Sequence, residues 1–204
     1  PGRVYLLLGG NLGDEHELEL SEADYILKGE SGEDHTGCSV SGAGDVDGDG
    51  LDDIVIGSEY GGDAGTVYVV LASSLGSEQT IDLANADYHL AGVAADDRVG
   101  AAVGGAGDID GDGLDDILVG APAYDGQGMV YLVLNGDLSK TNRVDLDSVN
   151  FRFFGEQSED NAGIGVAVAG DVNGDGLDDI LIGAHQNDEN GDNAGKAYLL
   201  LSGL

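Results

Sequence analysis

The sequence predicts an all-β protein built from repeated small sheets, and three observations support this fold class. The same nine-residue string recurs as DVDGDGLDD from Asp45, DIDGDGLDD from Asp108 and DVNGDGLDD from Asp171. Successive strings start 63 residues apart (108 − 45 and 171 − 108), and an equal period indicates repeated structural units. Each string leads into an apolar, β-branched run that ends at Gly, namely DIVIG, DILVG and DILIG, which is typical of a strand.

Four short strands are expected in each unit. Small residues at 37–42 predict a strand that enters the acidic string, and residues 53–56 predict one that leaves it. A third strand is expected after a Gly-rich turn at 67–71, and a fourth at 88–90, with counterparts at 25–27 and 151–153. Four strands in a repeat of this length are typical of a propeller blade, with the small-residue strand innermost.

The unit boundaries follow from a second recurring string. GRVYLLL from Gly2 returns as GTVYVVL from Gly65, GMVYLVL from Gly128 and GKAYLLL from Gly195. We therefore predict repeat 1 at residues 1–64, repeat 2 at 65–127, repeat 3 at 128–194, and the first strand of a fourth unit at 195–204. The tyrosine shared by these strings, at positions 5, 68, 131 and 198, is predicted to pack between blades.

Acidic side chains at alternate positions of the three strings predict calcium binding. Ca²⁺ takes about six to eight oxygen ligands, and alternate side chains of a tightly turning loop point to a common centre. Gly48 and Gly50 permit the positive φ of such a turn. The predicted ligands of three Ca²⁺ ions are Asp45, Asp47, Asp49, the Leu51 carbonyl and Asp53 in the first loop; Asp108, Asp110, Asp112, the Leu114 carbonyl and Asp116 in the second; and Asp171, Asn173, Asp175, the Leu177 carbonyl and Asp179 in the third.

Two other interpretations fit these strings less well. Asp and Gly dominate ordinary turns, but three copies in register make an incidental turn a poor explanation. An EF-hand or dockerin needs a bidentate Glu at the twelfth position, where this chain has Ile56, Val119 and Ile182. The strand-like runs that follow also differ from the helix of an EF-hand, so we expect calcium loops between two strands.

The pattern V-x-G-A-G-D-x-[DN]-G-D-G-x-D-D-I-x-[VI]-G resembles the FG-GAP repeat of integrin α-subunit β-propellers and of many secreted bacterial proteins. The middle unit matches best, with VGAAVGGAGDIDGDGLDDILVGAP at residues 99–122. The Phe-Gly pair of the pattern is replaced by Thr36-Gly37, Val99-Gly100 and Ala162-Gly163, whereas the calcium ligands are intact. The resemblance implies β-propeller-type four-stranded blades, about three FG-GAP repeats, with calcium in the loops.

The repeat number predicts that this chain is part of a larger propeller or assembly. Propellers close with roughly four to eight blades, whereas the sequence holds three calcium loops. Three arrangements remain open: the chain belongs to a longer polypeptide, further copies of itself complete the ring, or the blades stack openly. We expect the first, because the chain begins at Pro1 without an initiator Met.

The composition of the chain disfavours some classes of binding partner. Forty acidic and seven basic residues give a net charge of −33, which makes nucleic acid and anionic membrane surfaces poor partners. No stretch is long and apolar enough for membrane insertion. Cys38 is the only cysteine, so calcium must supply the cross-linking that disulfides often supply outside cells. The alignment of Cys38 with Ala101 and Ile164 predicts a buried thiol.

Two functions from different classes remain. We predict a calcium-binding extracellular structural or adhesion module, secreted or at the cell surface, that presents loops to a protein or glycan ligand. The alternative is a non-catalytic or lectin-like propeller domain of a larger secreted enzyme. The sequence holds no G-x-S-x-G motif and no recognisable pair of nucleophile and base, so no enzymatic activity is expected.

The resemblance also implies which face binds the partner. In integrins the ligand-binding face is the one away from the calcium loops. In this chain that face would carry the turns at 58–64, 121–127 and 184–194, together with the acidic connections at 32–35, 94–98 and 157–161. A lectin would be distinguished by glycan binding that needs the loops of Tyr60 and Tyr124.

Overall fold

Short β-strands make up nearly all of the regular structure in the computed structural model of this chain, which describes residues 1–12, 17–92, 94–138 and 141–203. In chain order the strands are β1 (Arg3–Leu6), β2 (Tyr25–Lys28), β3 (Ser39–Gly44), β4 (Asp53–Ser58), β5 (Thr66–Val70), β6 (Thr80–Asp82), β7 (Tyr88–Ala91), β8 (Ala102–Gly107), β9 (Asp116–Ala121), β10 (Met129–Val133), β11 (Arg143–Asp145), β12 (Phe151–Phe154), β13 (Ala162–Gly170), β14 (Asp179–Ala184) and β15 (Lys196–Leu200). The helical structure in these ranges is one α-helical turn, α1 (Asn135–Leu138), and 3₁₀ turns at Gly9–Asn11, Leu20–Glu22, Ala72–Ser74, Leu83–Asn85, Tyr124–Gly126 and Leu146–Ser148. None of these helices is long and apolar enough to cross a membrane.

Within the described ranges the strands form four sheets. Two are complete blades, with the orders β3-β4-β5-β7 and β8-β9-β10-β12. Partial sheets flank them, formed by β1, β2 and β6 on one side and by β13, β14 and β15 on the other. Successive strands within a blade pair antiparallel, as expected for strands joined by tight turns. The predicted all-β fold of four-stranded blades is confirmed, although these sheets do not close a ring.

Each complete blade takes its strands from two of the predicted repeats. β3 and β4 lie within residues 1–64, whereas β5 and β7 of the same blade lie within 65–127. β15 likewise begins the predicted fourth unit but pairs with β14. The repeat boundaries thus describe the sequence period and stay a prediction. Leu204, the last residue of the fourth unit, lies outside the described residues.

Small residues allow neighbouring blades to approach closely at their inner ends. β3 and β8 each lie at the end of their sheet and contact each other, and β8 also contacts β13. A Cβ on Gly120 would lie 2.0 Å from the carbonyl oxygen of Gly163, and one on Gly57 would lie 2.0 Å from that of Gly100. The predicted inner position of the small-residue strands is therefore confirmed.

Two short strands that the sequence pattern did not indicate link each blade to the one before it. β6 lies between β5 and β7 in the chain but pairs in parallel with β2 of the preceding sheet, and β11 pairs in the same way with β7. Leu83 and Leu146, which follow these strands directly, are fully buried. Three residues are too few to show a two-residue alternation, which is why the sequence pattern missed these outer crossovers.

Packing between blades forms the core. Tyr68 and Tyr131 are 1% and 0% exposed and belong to two different apolar clusters between sheets, which confirms their predicted packing role. Burial of each ring removes enough apolar area to favour folding by roughly 4 kcal/mol before entropy is counted.

Cys38, by contrast, is exposed, so the prediction of a buried thiol was wrong. Among the described residues, the sheet before its blade (β1, β2 and β6) has no counterparts of the two inner strands that would cover this thiol.

Candidate metal centre

The three acidic loops, residues 45–53, 108–116 and 171–179, connect the first and second strands of successive sheets. Each loop follows a glycine with positive φ, namely Gly44, Gly107 or Gly170. The loops lie side by side, because the N–H of Asp115 donates to the carbonyl of Asp45 at 3.1 Å and that of Asp178 donates to the carbonyl of Asp108 at 3.4 Å. The acidic strings therefore gather at one end of the blades.

In the first loop the backbone folds around the carboxylate of Asp45. Its Oδ1 accepts the N–H groups of Gly48 at 2.7 Å and Asp49 at 3.1 Å, and its Oδ2 accepts that of Gly50 at 2.9 Å. Gly48 and Gly50 have φ values of 81° and 87°, a conformation that side chains with a Cβ rarely adopt. The predicted reason for glycine at these two positions is confirmed.

The other two loops repeat this arrangement. Asp108 and Asp171 each accept three backbone N–H groups at 2.6 to 3.1 Å, from Gly111, Asp112 and Gly113 in one loop and from Gly174, Asp175 and Gly176 in the other. The same conformation thus recurs where the flanking sheet is complete and where it is partial. The nine-residue string itself sets the loop conformation.

The loops bring their acidic side chains together to different degrees. Oxygens of Asp45, Asp47 and Asp49 lie within 4.8 Å of one another in the first loop. In the second loop Asp108, Asp110 and Asp116 form such a group. Across the described ranges these are the two groups of three acidic side chains at this distance. The third loop differs in chemistry, because it has the amide Asn173 where the others have a second carboxylate.

The last acidic residue of each loop is buried and ties the loop to the third strand of its sheet. Asp53, Asp116 and Asp179 are 1%, 1% and 0% exposed. One oxygen of each accepts a backbone N–H from within the loop, from Val46, Ile109 or Val172 at 2.9 to 3.1 Å. The other accepts an N–H from just beyond the third strand, from Ala72, Asn135 or Ser202 at 2.8 to 3.0 Å.

Burial and neighbouring charge shift the ionisation of these carboxyls. Desolvation raises the pKa of Asp116 to about 7, and the charges of Asp110 and Asp112 add to the shift. Desolvation also raises the pKa of Asp53. The backbone N–H and the hydroxyl of Ser202 instead lower the pKa of Asp179. Desolvation is the main cause in the first two loops, and the nearby carboxylates add a smaller contribution that a bound cation would offset.

Two amide side chains already contact predicted ligands. Asn135 Nδ2 lies 3.1 Å from each carboxylate oxygen of Asp112, and Asn173 Nδ2 donates to Asp175 at 2.8 Å. The sequence pattern did not single out Asn135, because it lies outside the string, at the start of α1. Its only sequence signal was its alignment with Ala72 and Ser202, which follow the equivalent strands β5 and β15.

The donor set fits a hard cation. Carboxylate, amide and peptide oxygens are the ligands that Ca²⁺ prefers, whereas zinc and copper sites use nitrogen or sulfur. The predicted side-chain ligands are all Asp except for Asn173, so each offers only oxygen to a metal ion. The assignment of the carbonyls of Leu51, Leu114 and Leu177 as ligands stays a prediction, as does the full ligand set of each loop.

The acidic connections at the opposite end of the blades have a repeated backbone geometry. Each contains two non-glycine residues with positive φ, one on either side of a central Asp; the pairs are Glu33 and His35, Asp96 and Arg98, and Glu159 and Asn161. The central residues, Asp34, Asp97 and Asp160, have carbonyls that accept an N–H from the next turn, at Tyr60, Ala123 and Gln186. These connections are therefore held in a strained conformation by the turns beside them.

At the end of the blades opposite the acidic loops, four side chains form a cluster around an aromatic ring: His35, Glu59, Tyr60 and Arg98. Tyr60 is 43% exposed, with the His35 ring edge-on at a centroid distance of 4.8 Å and the Arg98 guanidinium carbon 5.9 Å from its ring centroid. Glu59 accepts hydrogen bonds from Arg98 Nε at 2.9 Å and from Arg98 Nη2, and lies 3.3 Å from His35 Nδ1. We refer to these four residues as the Tyr60 cluster.

Comparison with known proteins agrees with this architecture. Integrin alpha-PS2 of Drosophila melanogaster is 30% identical over 188 residues, which covers 86% of this chain and 12% of that protein. Integrin alpha-5 of Xenopus laevis is 29% identical over 170 residues, covering 78% of this chain and 16% of that protein. The chain therefore spans less than a fifth of the length of these relatives.

A family description matches the blades themselves. The model of the FG-GAP repeat matches residues 39–70, 99–133 and 162–200, which together make up more than half of the chain. Each match runs from the first strand of a sheet, through the acidic loop and the second strand, to the third strand. This protein belongs to the FG-GAP repeat family.

Proposed function

We propose that this chain is a calcium-binding, non-enzymatic segment of an extracellular adhesion-type propeller, secreted or at the cell surface. One observation carries the proposal: three loops fold in the same way around an oxygen-rich centre at one end of the blades, with the turns between the second and third strands at the other. The likeness to integrin alpha subunits supports the adhesion role. Calcium would hold the loops, and the opposite face would present the turns.

Three Ca²⁺ ions, one in each loop, are part of this proposal. Asp45, Asp108 and Asp171 would each contribute the first ligand, because each lies at the centre of its loop and already organises the backbone. When bound, the ion would supply positive charge and cross-link residues along the loop. The net charge of −33 supports a need for such cations.

We predict that the third loop binds calcium most weakly and that Asn173→Asp tightens it by about tenfold. The substitution adds a formal charge to the ligands, and affinity for a hard divalent cation rises with ligand charge. It also removes the donor that Asn173 offers to Asp175, so the metal-free protein should become less stable. Calorimetric titration checks the affinity. The matched change Asp47→Asn should weaken the first loop, and unchanged affinity in both variants would contradict a charge-limited site.

The partner-binding face is proposed to lie away from the calcium loops and to include the Tyr60 cluster. Tyr60 presents an exposed ring whose orientation is set by His35 and Arg98, and Glu59 anchors both of these side chains. A rigid aromatic residue loses little conformational entropy on binding, which is typical of residues that dominate protein interfaces. The Tyr60 cluster is therefore proposed as a contact for a protein ligand, and glycan binding by the same loop is the lectin-like alternative.

Binding of the calcium-loaded chain to arrays of extracellular matrix proteins and of glycans tests this role. We expect binding to a protein that chelator abolishes and that Tyr60→Ala weakens at least tenfold. Val172→Ala is the control, because Val172 is an exposed apolar residue at the calcium end. Binding to glycans alone would favour the lectin-like alternative, and equal loss in both variants would contradict the assignment of the face.

Neighbouring blades, from a longer polypeptide or from further copies of this chain, are also proposed partners. Leu18 and Leu20 align with Ile81 and Leu83, yet Leu20 is 53% exposed whereas Leu83 is fully buried. At the other end, no described strand pairs with the outer edge of β12, and Phe154 is 52% exposed. Another sheet at each end would cover these apolar side chains as β6 and β11 cover their neighbours.

A further inference from the structure

Successive acidic loops contact each other through the two residues that precede the last Asp. Asp115 Oδ2 accepts the N–H of Asp45 at 2.8 Å, so a side chain of the second loop holds the backbone of the first. A Cβ on Gly44 would lie 2.1 Å from the same oxygen. A Cβ on Gly48 would lie 3.1 Å from Leu114 Cδ2, which shows that this leucine packs on the first loop.

The next junction brings the equivalent side chains equally close to the preceding loop, and the outer loops show the same positions where no described loop lies beside them. A Cβ on Gly107 would lie 2.0 Å from Asp178 Oδ2, and one on Gly111 would lie 3.1 Å from Leu177 Cδ2. At the equivalent Gly170 and Gly174 a Cβ would meet nothing within 4 Å. The junction residues Leu114, Asp115, Leu177 and Asp178 are half-buried, whereas their counterparts Leu51 and Asp52 are exposed.

We propose that Asp115 and Asp178 are positioning residues through which calcium in one loop strengthens calcium binding in the preceding loop. Asp115 belongs to the second string but acts on the first, and Asp178 belongs to the third but acts on the second. The proposal rests on calcium occupying these loops. It assigns a role to the first residue of each Asp-Asp pair, which is not among the predicted ligands.

The physical basis is that one short segment serves two loops. The peptide of Leu114 carries the carbonyl predicted to bind the second ion, while the Leu114 side chain and the Asp115 carboxylate rest on the first loop. An ion in the second loop would fix this segment and so fix the backbone of Asp45, the first ligand of the preceding ion. Groups that orient metal ligands typically change metal affinity by about 10–100-fold when removed.

Coupling between two binding sites must be reciprocal, and this gives the first test. Asp110→Ala should disable the second loop, and Asp47→Ala should disable the first; neither residue lies at the junction. The amide NMR signals of Gly50, Gly113 and Gly176 report on the three loops separately, because each N–H is bonded to the first Asp of its own loop. We expect each loop to lose affinity for Ca²⁺ by the same factor, about fivefold or more, when the other is disabled.

The second test removes the junction bond without removing a predicted ligand. Asp115→Ala, which leaves no side-chain acceptor for the Asp45 N–H, should weaken calcium binding at the first loop by about tenfold and abolish the coupling. Asp52→Ala is the matched control: it is the same change at the same string position, in a loop whose Asp52 is exposed. It should leave all three affinities within about twofold, a loss smaller than that of an ordinary hydrogen bond. Similar melting temperatures of the two variants in chelator, where calcium contributes no stability, would exclude a general loss of stability.

The outcomes separate this inference from the proposed function. If no glycine signal moves with Ca²⁺, both the calcium sites and the coupling are wrong. If all three loops bind but each keeps its affinity when a neighbour is disabled, the calcium sites stand and the coupling is wrong. A loss of calcium affinity in Asp115→Ala that is confined to the second loop would also overturn the inference, because it would show that Asp115 serves its own loop.

Discussion

Removing calcium with a chelator is expected to lower the melting temperature of this chain by roughly 10 °C. A ligand that binds only the folded state stabilises it by RT ln(1 + [L]/Kd), so calcium at about ten times Kd contributes about 1.4 kcal/mol per site and about 4 kcal/mol over three sites. For a protein of this size each 1 kcal/mol shifts the melting temperature by roughly 2 to 4 °C.

Repulsion between carboxylates within each loop should also lower the stability of the protein when calcium is removed. Asp45, Asp47 and Asp49 hold their oxygens within 4.8 Å of one another, and without a cation this arrangement opposes folding. Calorimetric melts with calcium, with chelator, and with chelator followed by excess calcium would measure the effect and its reversibility. Magnesium in place of calcium is the control, because it accepts flexible loop ligands less readily. A melt that is unchanged by chelator would contradict structural calcium.

Gly120→Ala is expected to destabilise the protein by about 3 kcal/mol or more, whereas Gly183→Ala should change its stability by less than about 0.5 kcal/mol. Both glycines end the same apolar run, in DILVG and DILIG. A Cβ on Gly120 would lie 2.0 Å from the carbonyl oxygen of Gly163, a backbone atom that cannot rotate away. A Cβ on Gly183 would lie 3.7 Å from the nearest such oxygen, which is ordinary contact.

Urea unfolding of the two calcium-loaded variants would measure this difference. Because the two substitutions are chemically identical and occupy equivalent strands, β9 and β14, any difference in strand propensity cancels. The comparison therefore isolates the approach of one blade to the next. Equal destabilisation by both substitutions would show that the glycine is needed within its own sheet rather than between sheets.

The local structure of the loops could be predicted from the sequence because it depends on few long-range contacts. Asp45 organises its loop with backbone groups within five residues of itself, and the glycines at 48 and 50 permit the required φ. The strands were predictable for a similar reason, since the apolar runs and the small-residue strands repeat three times and share one period.

Contacts between blades could not be predicted from the nine-residue string. Its three copies are nearly identical in sequence, but the sheets that lie beside them differ. Asp115 bonds to the first loop and Asp52 is exposed, although both precede the last Asp of their loops. Cys38 is exposed for the same reason, because inner strands are missing from the sheet before it. The sequence pattern also did not predict β6 and β11. Each of these strands pairs with the preceding sheet, whereas the strands before and after it in the chain belong to the next sheet.

By itself the sequence determined the repeat period, the all-β class, the four strands of a blade and the three oxygen-rich loops, because each depends on residues close together in the chain. Only the tertiary structure decided which equivalent residues meet a neighbour, as the pairs Gly120 and Gly183 or Asp115 and Asp52 show. The physical reason is that a repeat fixes its own backbone locally, whereas burial and contact between repeats depend on the sheet that lies beside it.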